Sequence, residues 1–343
     1  MSAIYRVAGA VILLVAALSP TYAADEAVLN LYSARHYQTD EALYENFTKA
    51  TGIRINRIEA SDEQLLERLK TEGANSPADV LLIVDAARLW QAQQLGLFQP
   101  IKSGLLDDRI PAKFRDPGGN WFGFSYRARV IVFNKAMVNV ADVASYEALA
   151  DPRNKGRICT RSGSHPYNLS LIGAQIAHLG EAGAQTWANG VVANMARTPK
   201  GGDTDQIKAV AAGECGVALS NTYYYARLMR SSQTADREIV ARTAVVFPDQ
   251  AGNGTHVNVS GAGVMRNAPH RDQAVKFLEY LAGDDAQRYF ADGNNEWPIV
   301  ASVKVANPAL DAFGKFRIDP LPIATLGTNT PEAQRLADRA GWK

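Results

Sequence analysis

The chain has 343 residues, with 36 Lys and Arg against 35 Asp and Glu and a formal net charge of +1. That near-even balance makes nucleic acid and acidic membranes poor partners, because both reward a strong basic excess. The length is ample for two lobes with separate cores, and two cysteines without a close-spaced second pair are a poor metal site.

Residues 1–23 read as a secretory signal peptide: Arg6 is the basic start, residues 7–18 are apolar, and Ala23 and Ala24 are small residues suited to cleavage. The apolar part is too short to span a bilayer, and no later run of about 18 apolar residues follows. No cysteine comes after it to carry a lipid anchor, so the mature protein is expected to be soluble and exported. Loss of Arg6 brings basic and acidic residues to parity. In an oxidising compartment Cys159 and Cys215 either form a bridge or remain two buried small hydrophobes.

The mature chain then alternates strands and helices. Residues 27–33 form a short apolar strand, and Thr39-Asp40 can cap a helix with Leu43, Tyr44 and Phe47 on one face, ended by Gly52. Residues 53–58 alternate as a strand, and Ser61-Asp62 opens a helix carrying Leu65, Leu66 and Leu69. Residues 80–84 are continuously apolar, as in a parallel strand covered on both faces, and Asp85 caps the next helix over 86–95. This repeated strand-helix order predicts a mostly parallel sheet.

Residues 121–133 form one long strand-like run with no turn signal, long enough to cross from one lobe to another. A helix is expected over 142–149, a strand over 157–160, and a long apolar helix over 169–179. Asp203 with Gln206 reads as a capping box for a helix over 204–212. Strands at 244–247 and 256–259 return the chain to the first lobe, helices follow at 272–281 and 284–291, and a closing helical segment ends at Trp342. The expected fold is α/β and two-lobed, each lobe a mostly parallel sheet flanked by helices. Residues 24–125 and 248–300 make the N-terminal lobe, and residues 126–247 and 301–343 the C-terminal lobe.

The most informative stretch is Asn221-Thr222-Tyr223-Tyr224-Tyr225-Ala226-Arg227, after the apolar run 216–220. It puts Tyr223 and Tyr224 on the first turn of a helix, where the positive end of the macrodipole favours an ionised phenol. Tyr37 and Tyr167 also fall just beyond the carboxyl ends of predicted strands, the edge where open α/β sheets bind ligands. Phenolates are hard oxygen donors and suit a hard trivalent cation, for which ferric iron is the natural guest. His36 supplies either a nitrogen ligand or a hydrogen bond, and Arg127 on the crossing strand offsets the excess negative charge or holds a bound anion. Tyr225 is assigned to packing.

The segments Leu31-Tyr32-Ser33-Ala34-Arg35-His36-Tyr37, Tyr126-Arg127-Ala128-Arg129, Ser164-His165-Pro166-Tyr167-Asn168, Gly213-Glu214-Cys215-Gly216 and Asn221-Thr222-Tyr223-Tyr224 carry a family resemblance. The chain resembles the periplasmic ferric-iron-binding proteins of ABC importers, in particular the subgroup that clamps iron with several tyrosines. The resemblance covers nearly all of the mature chain. It implies closure of two hinged lobes around one Fe(3+), with Fe(2+) the alternative oxidation state. It implies Tyr37, Tyr167, Tyr223 and Tyr224 as ligands, His36 as a variable one and Arg127 close by. It also implies a periplasmic location and delivery to a permease driven by a cytoplasmic ATPase. A synergistic anion and a monomeric state complete the expectation.

Two other classes compete. The same scaffold can hold a small organic solute, a polyamine or an oxyanion, with the tyrosines as an aromatic box and Ser162-Gly163-Ser164 as an anion cradle. An exported enzyme is the weaker rival, because the chain has no nucleophile elbow, no His-Glu-x-x-His helix and no phosphate-binding Lys loop.

Overall fold

The computed structural model describes residues 27–35 and 39–343. The leader and the pair His36-Tyr37 lie outside the described residues.

Strand β1 (Val28–Ser33) pairs in parallel with β2 (Arg54–Glu59) on one side and β3 (Val80–Ile83) on the other. Helices α1 (Asp40–Thr51) and α2 (Asp62–Glu72) make the first two crossovers, and α3 (Ala86–Gln94) and α4 (Gly104–Arg109) follow β3. Their ends follow from local chemistry. Gly52 closes α1 at φ 72°, where its N–H reaches Thr48 O; at α2, Ser61 and Gln64 exchange side-chain to backbone bonds. Asp85 caps α3 by accepting from Ala87 N at 2.8 Å. Leu43, Tyr44 and Phe47 of α1 are buried together on one face, as their spacing predicts.

The unbroken run of the sequence becomes β4 (Phe122–Asn134). Its first half, Phe122 to Ala128, pairs with β8 (Val257–Val264), and its second half, Arg129 to Phe133, pairs with β6 (Val217–Asn221). A single strand therefore joins two cores. The first gathers Leu31, Leu81, Phe47, Trp121, Phe277 and Phe290 among others. In the second half side chains alternate: Ile131 and Phe133 enter one cluster with Leu171 and Trp187, and Val132 enters another with Ile207.

The second lobe adds β5 (Ile158–Cys159), parallel to β6, and β7 (Thr243–Val246), antiparallel to β4. Its helices are α5 (Pro166–Ala193), α6 (Asp203–Ala212), α7 (Thr222–Met229) and α8 (Thr234–Arg242). The chain returns through β8, which runs antiparallel to β3, then α9 (Arg271–Leu281), α10 (Asp284–Asn294) and the short β9 (Trp297–Pro298). Helices α11 (Pro308–Ala312), α12 (Ile323–Thr328) and α13 (Thr330–Ala340) close it. Ile323 and Leu326 of α12 join the first core, whereas Ala333, Leu336 and Ala337 of α13 join the second. The architecture is α/β and two-lobed.

Two local expectations change. The helix expected over 142–149 is instead two short 3-10 turns, Val140–Val143 and Glu147–Ala150, because Asn139 and Ser145 each accept from a nearby backbone N–H and restart the turn. Asp203 is not the cap of α6: the exposed Asp205 accepts from Gly202 N at 2.8 Å, and Asp203 is buried in ion pairs. The two cysteines are bridged, with Cα atoms 5.8 Å apart. Among the described residues no helix is long and apolar enough to cross a membrane.

Candidate metal centre

Tyr167 stands on the first turn of α5, where the chain leaves β5. His165 caps that turn, its Nδ1 accepting from Tyr167 N at 3.2 Å, and Pro166 takes the position whose N–H a helix does not use. Tyr223 and Tyr224 stand on the first turn of α7, directly after β6. The two turns converge. The Tyr167 and Tyr223 hydroxyls are 3.0 Å apart and hydrogen-bonded, and the Tyr223 and Tyr224 rings lie 4.3 Å apart between centroids. Tyr167 and Tyr223 are buried and Tyr224 partly so. Tyr225 points away into the core beside α6, donating to Thr243 O at 3.1 Å.

Three guanidinium groups surround Tyr167. Arg161, Arg127 and Arg129 lie 5.0, 5.5 and 5.9 Å from the centre of its ring. Arg127 is anchored to the first lobe: it donates to Val84 O and lies 3.8 Å from the Asp85 carboxylate. Its Nε and Nη1 are buried with no hydrogen-bond partner among the described residues. Burial pushes the Tyr167 phenol well up, the nearby Tyr224 adds to this, and Arg127 with the Tyr223 hydroxyl works against it. Burial and then Arg161 hold His165 down at about 2, so this imidazole stays neutral and suited to its capping role.

Of the residues singled out from the sequence, the structure brings Tyr167, Tyr223, Tyr224 and Arg127 together. His36 and Tyr37 lie outside the described residues. Before them, Arg35 is buried, with Nε 2.6 Å from Asp40 and Nη1 3.4 Å from Glu296, and Ala34 N donates to Leu82 O at 2.9 Å. That sets the exit of β1 beside the exit of β3, the strand end to which Arg127 is bound. Sequence reasoning missed Arg129, Arg161, Asn168 and Asp203. Arg129 was signalled by its two-residue spacing from Arg127, which puts both on one strand face. Arg161 was signalled by its place at the exit of β5.

The donor set suits a hard cation. Among the described residues no group of three or more His, Cys, Asp or Glu is placed to hold a metal, and the phenols of Tyr167, Tyr223 and Tyr224 are oxygen groups that converge here. The cationic surround compensates the charge that ionised phenols bring. The Ser162-Gly163-Ser164 turn is no open cradle: Gly163 N donates to Lys343 O, and a Cβ on Gly163 would fall 2.3 Å from Trp342 O.

Two lobes joined by crossing strands, with polar side chains converging where helices begin at the strand ends, define a solute-binding protein. The chain belongs to the bacterial extracellular solute-binding protein family, whose model matches residues 42–312. Proteins of this class take up a solute outside the cytoplasm and pass it to a membrane permease without converting it. Iron uptake protein A2 of Synechocystis sp. is 51% identical over 333 residues, 96% of this chain and 94% of that protein. A solved structure of Trichodesmium FutA (IdiA) in complex with iron and citrate ligands is similar at a TM-score of 0.88 and 51% identity, covering 92% of this chain and 100% of that one. The ferric binding protein from Campylobacter jejuni is similar at a TM-score of 0.87 and 38% identity, covering 92% and 100%.

Proposed function

We propose that this protein captures ferric iron between its lobes and delivers it to the permease of an ABC importer. The observation that carries the reading is the 3.0 Å approach of the Tyr167 and Tyr223 hydroxyls beneath three guanidinium groups. Buried phenols that share a hydrogen bond while neutral become a pair of hard anionic donors once a trivalent ion displaces their protons. Tyr224 is the third donor from this lobe. Tyr37, with His36 as a further nitrogen ligand or hydrogen-bond partner, completes the shell from the first lobe. The fixed exit of β1 beside the Arg127 anchor supports that assignment. Similarity to iron uptake protein A2 and to the ferric binding protein from Campylobacter jejuni supports the cargo, and Fe(2+) is the alternative oxidation state.

In this reading the lobes, residues 24–125 with 248–300 and 126–247 with 301–343, close about β4 and β8 with α12 at the seam. Residues 1–23 direct export to the periplasm, where the protein works as a monomer, and a cytoplasmic ATPase drives the permease. The unpartnered Nε and Nη1 of Arg127 are ready donors for a synergistic anion. An organic cation fits less well, because arginine side chains already surround the Tyr167 ring.

The reading is tested by competition between the metal-stripped mature protein and a ferric chelator. Wild type should take one iron per chain, and Tyr167→Phe, Tyr223→Phe and Tyr37→Phe should each lose that ability while keeping a cooperative melt. Undiminished binding in Tyr223→Phe would overturn it.

A further inference from the structure

The Arg129 and Asp203 side chains, 74 positions apart, form a buried ion pair at 2.5 Å. A buried pair of this kind contributes little net stability, because desolvation offsets the attraction. Its connections are more informative. Arg129 lies opposite Asn221 in the β4–β6 ladder; its Nη1 donates to Asn221 Oδ1 at 3.2 Å and its Nη2 to Asn168 Oδ1 at 2.8 Å. Asp203 Oδ2 also accepts from Asn221 N at 2.8 Å. Asn168 follows Tyr167 immediately, and Asn221 precedes Tyr223 by two positions. The Asn168 amide group is itself fully used: the two N–H groups of Nδ2 are shared among Thr160 Oγ1, Arg161 O and Ser162 O at 3.0–3.1 Å.

We infer that the Arg129–Asp203 pair is a positioning device that holds the phenol-bearing first turns of α5 and α7 in one register through Asn168 and Asn221. The inference rests on the ferric reading above. Without it, the two turns would still be linked through the β5–β6 pairing and the Cys159–Cys215 bridge, which lie several residues before the phenols, and through the Tyr167–Tyr223 hydroxyl bond that metal binding would replace. A coordination shell shared between two helix starts needs its donors fixed to about 0.5 Å, which is what a rigid fork bonded to both turns supplies. The pair also shapes the local field. Arg161 Nη1 lies 3.3 Å from Asp203 Oδ1, so two guanidinium groups share one carboxylate beside the Tyr167 ring, leaving positive charge to offset phenolates.

The test compares Asn168→Ala, Asn221→Ala and Arg129→Lys with wild type and Tyr223→Phe. Each is measured for ferric affinity by chelator competition, for the position of the tyrosinate absorption band and for the rise in melting temperature on loading. The inference expects each positioning variant to lose about 10- to 100-fold in affinity and to shift the band. It expects a smaller iron-induced rise in melting temperature, which a change confined to general stability would leave alone. The losses of Asn168→Ala and Asn221→Ala should be non-additive in the double variant, because both act through Arg129. Asn221→Ala leaves the ion pair and the Asn221 backbone bond intact, so it keeps the test readable if Arg129→Lys fails to fold. Wild-type affinity and band in Asn221→Ala and Asn168→Ala, with both lost in Tyr223→Phe, would overturn the inference and leave the ferric reading standing. Undiminished binding in Tyr223→Phe would overturn both.

Discussion

The Tyr167 and Tyr223 hydroxyls are hydrogen-bonded at 3.0 Å across 56 positions of sequence, and they come from the first turns of two different helices. Neither turn alone presents a metal site. Replacing Tyr167 or Tyr223 by Phe should leave the metal-free fold within about 1 kcal/mol of wild type, the usual worth of one hydrogen bond. Ferric affinity should fall by more than the about 100-fold that losing a supporting group can cost. Chelator competition and thermal melts on the same samples check this.

Tyr225 is the internal control. It neighbours the two candidate ligands, yet its hydroxyl is bonded to Thr243 O and lies 3.1 Å from Thr243 Oγ1. Tyr225→Phe should lower stability by about 1 kcal/mol and leave iron binding unchanged. Urea unfolding paired with an iron titration separates the two effects.

Ferric affinity should fall as pH falls. Burial holds the Tyr167 phenol well above its ordinary value, so in the metal-free protein it keeps its proton at neutral pH, and iron must displace that proton. Release of several phenol protons per ion makes the dependence steeper than about tenfold per pH unit. Conditional affinities at three pH values between 5 and 8, corrected for the chelator, measure the slope.

Stability should carry a second pH signature, from Asp62. Burial, reinforced by Asp85 and Glu63 and opposed by Arg88 and Arg127, raises its carboxyl from 3.8 to about 7. The stabilising contribution of the protonated form is complete below 3.8 and is lost as pH rises through about 7. Asp62→Asn should therefore melt higher than wild type at pH 8, with the gap closing toward pH 4. A gap that stays constant with pH would remove Asp62 as its source.

The Cys159–Cys215 bridge joins positions 56 apart, and each cysteine lies eight residues before a phenol of the site. By chain entropy such a loop is worth about 4 kcal/mol. Reduction, or Cys159→Ala with Cys215→Ala, should lower the melting temperature of the metal-free protein, and bound iron should recover part of the loss by mass action. Differential scanning calorimetry with and without reductant checks it.

Much of this was legible in the sequence because the signals are local. The run ending at Phe133 has no turn signal, and it became the strand that links both cores. Tyr167, Tyr223 and Tyr224 follow strand ends, which in this architecture share one edge. What was not legible depends on contacts between distant positions. Asp203 has the local pattern of a helix cap, and nothing within its own turn reveals the Arg129 side chain waiting 74 residues earlier. The kind of Cys pairing was also open, since only the parallel register of β5 and β6 brings residues 159 and 215 together.

If Tyr223 and its neighbours bind ferric iron as tyrosinates, the bound ion absorbs visible light by ligand-to-metal charge transfer. Visible absorption of the metal-stripped mature protein, titrated with chelated ferric iron and repeated with Tyr223→Phe, tests it most directly. A saturable charge-transfer band at one iron per chain, shifted or lost in the variant, is the expected result. No band, together with a melting temperature still raised by ferrous iron or by an organic solute, would contradict it.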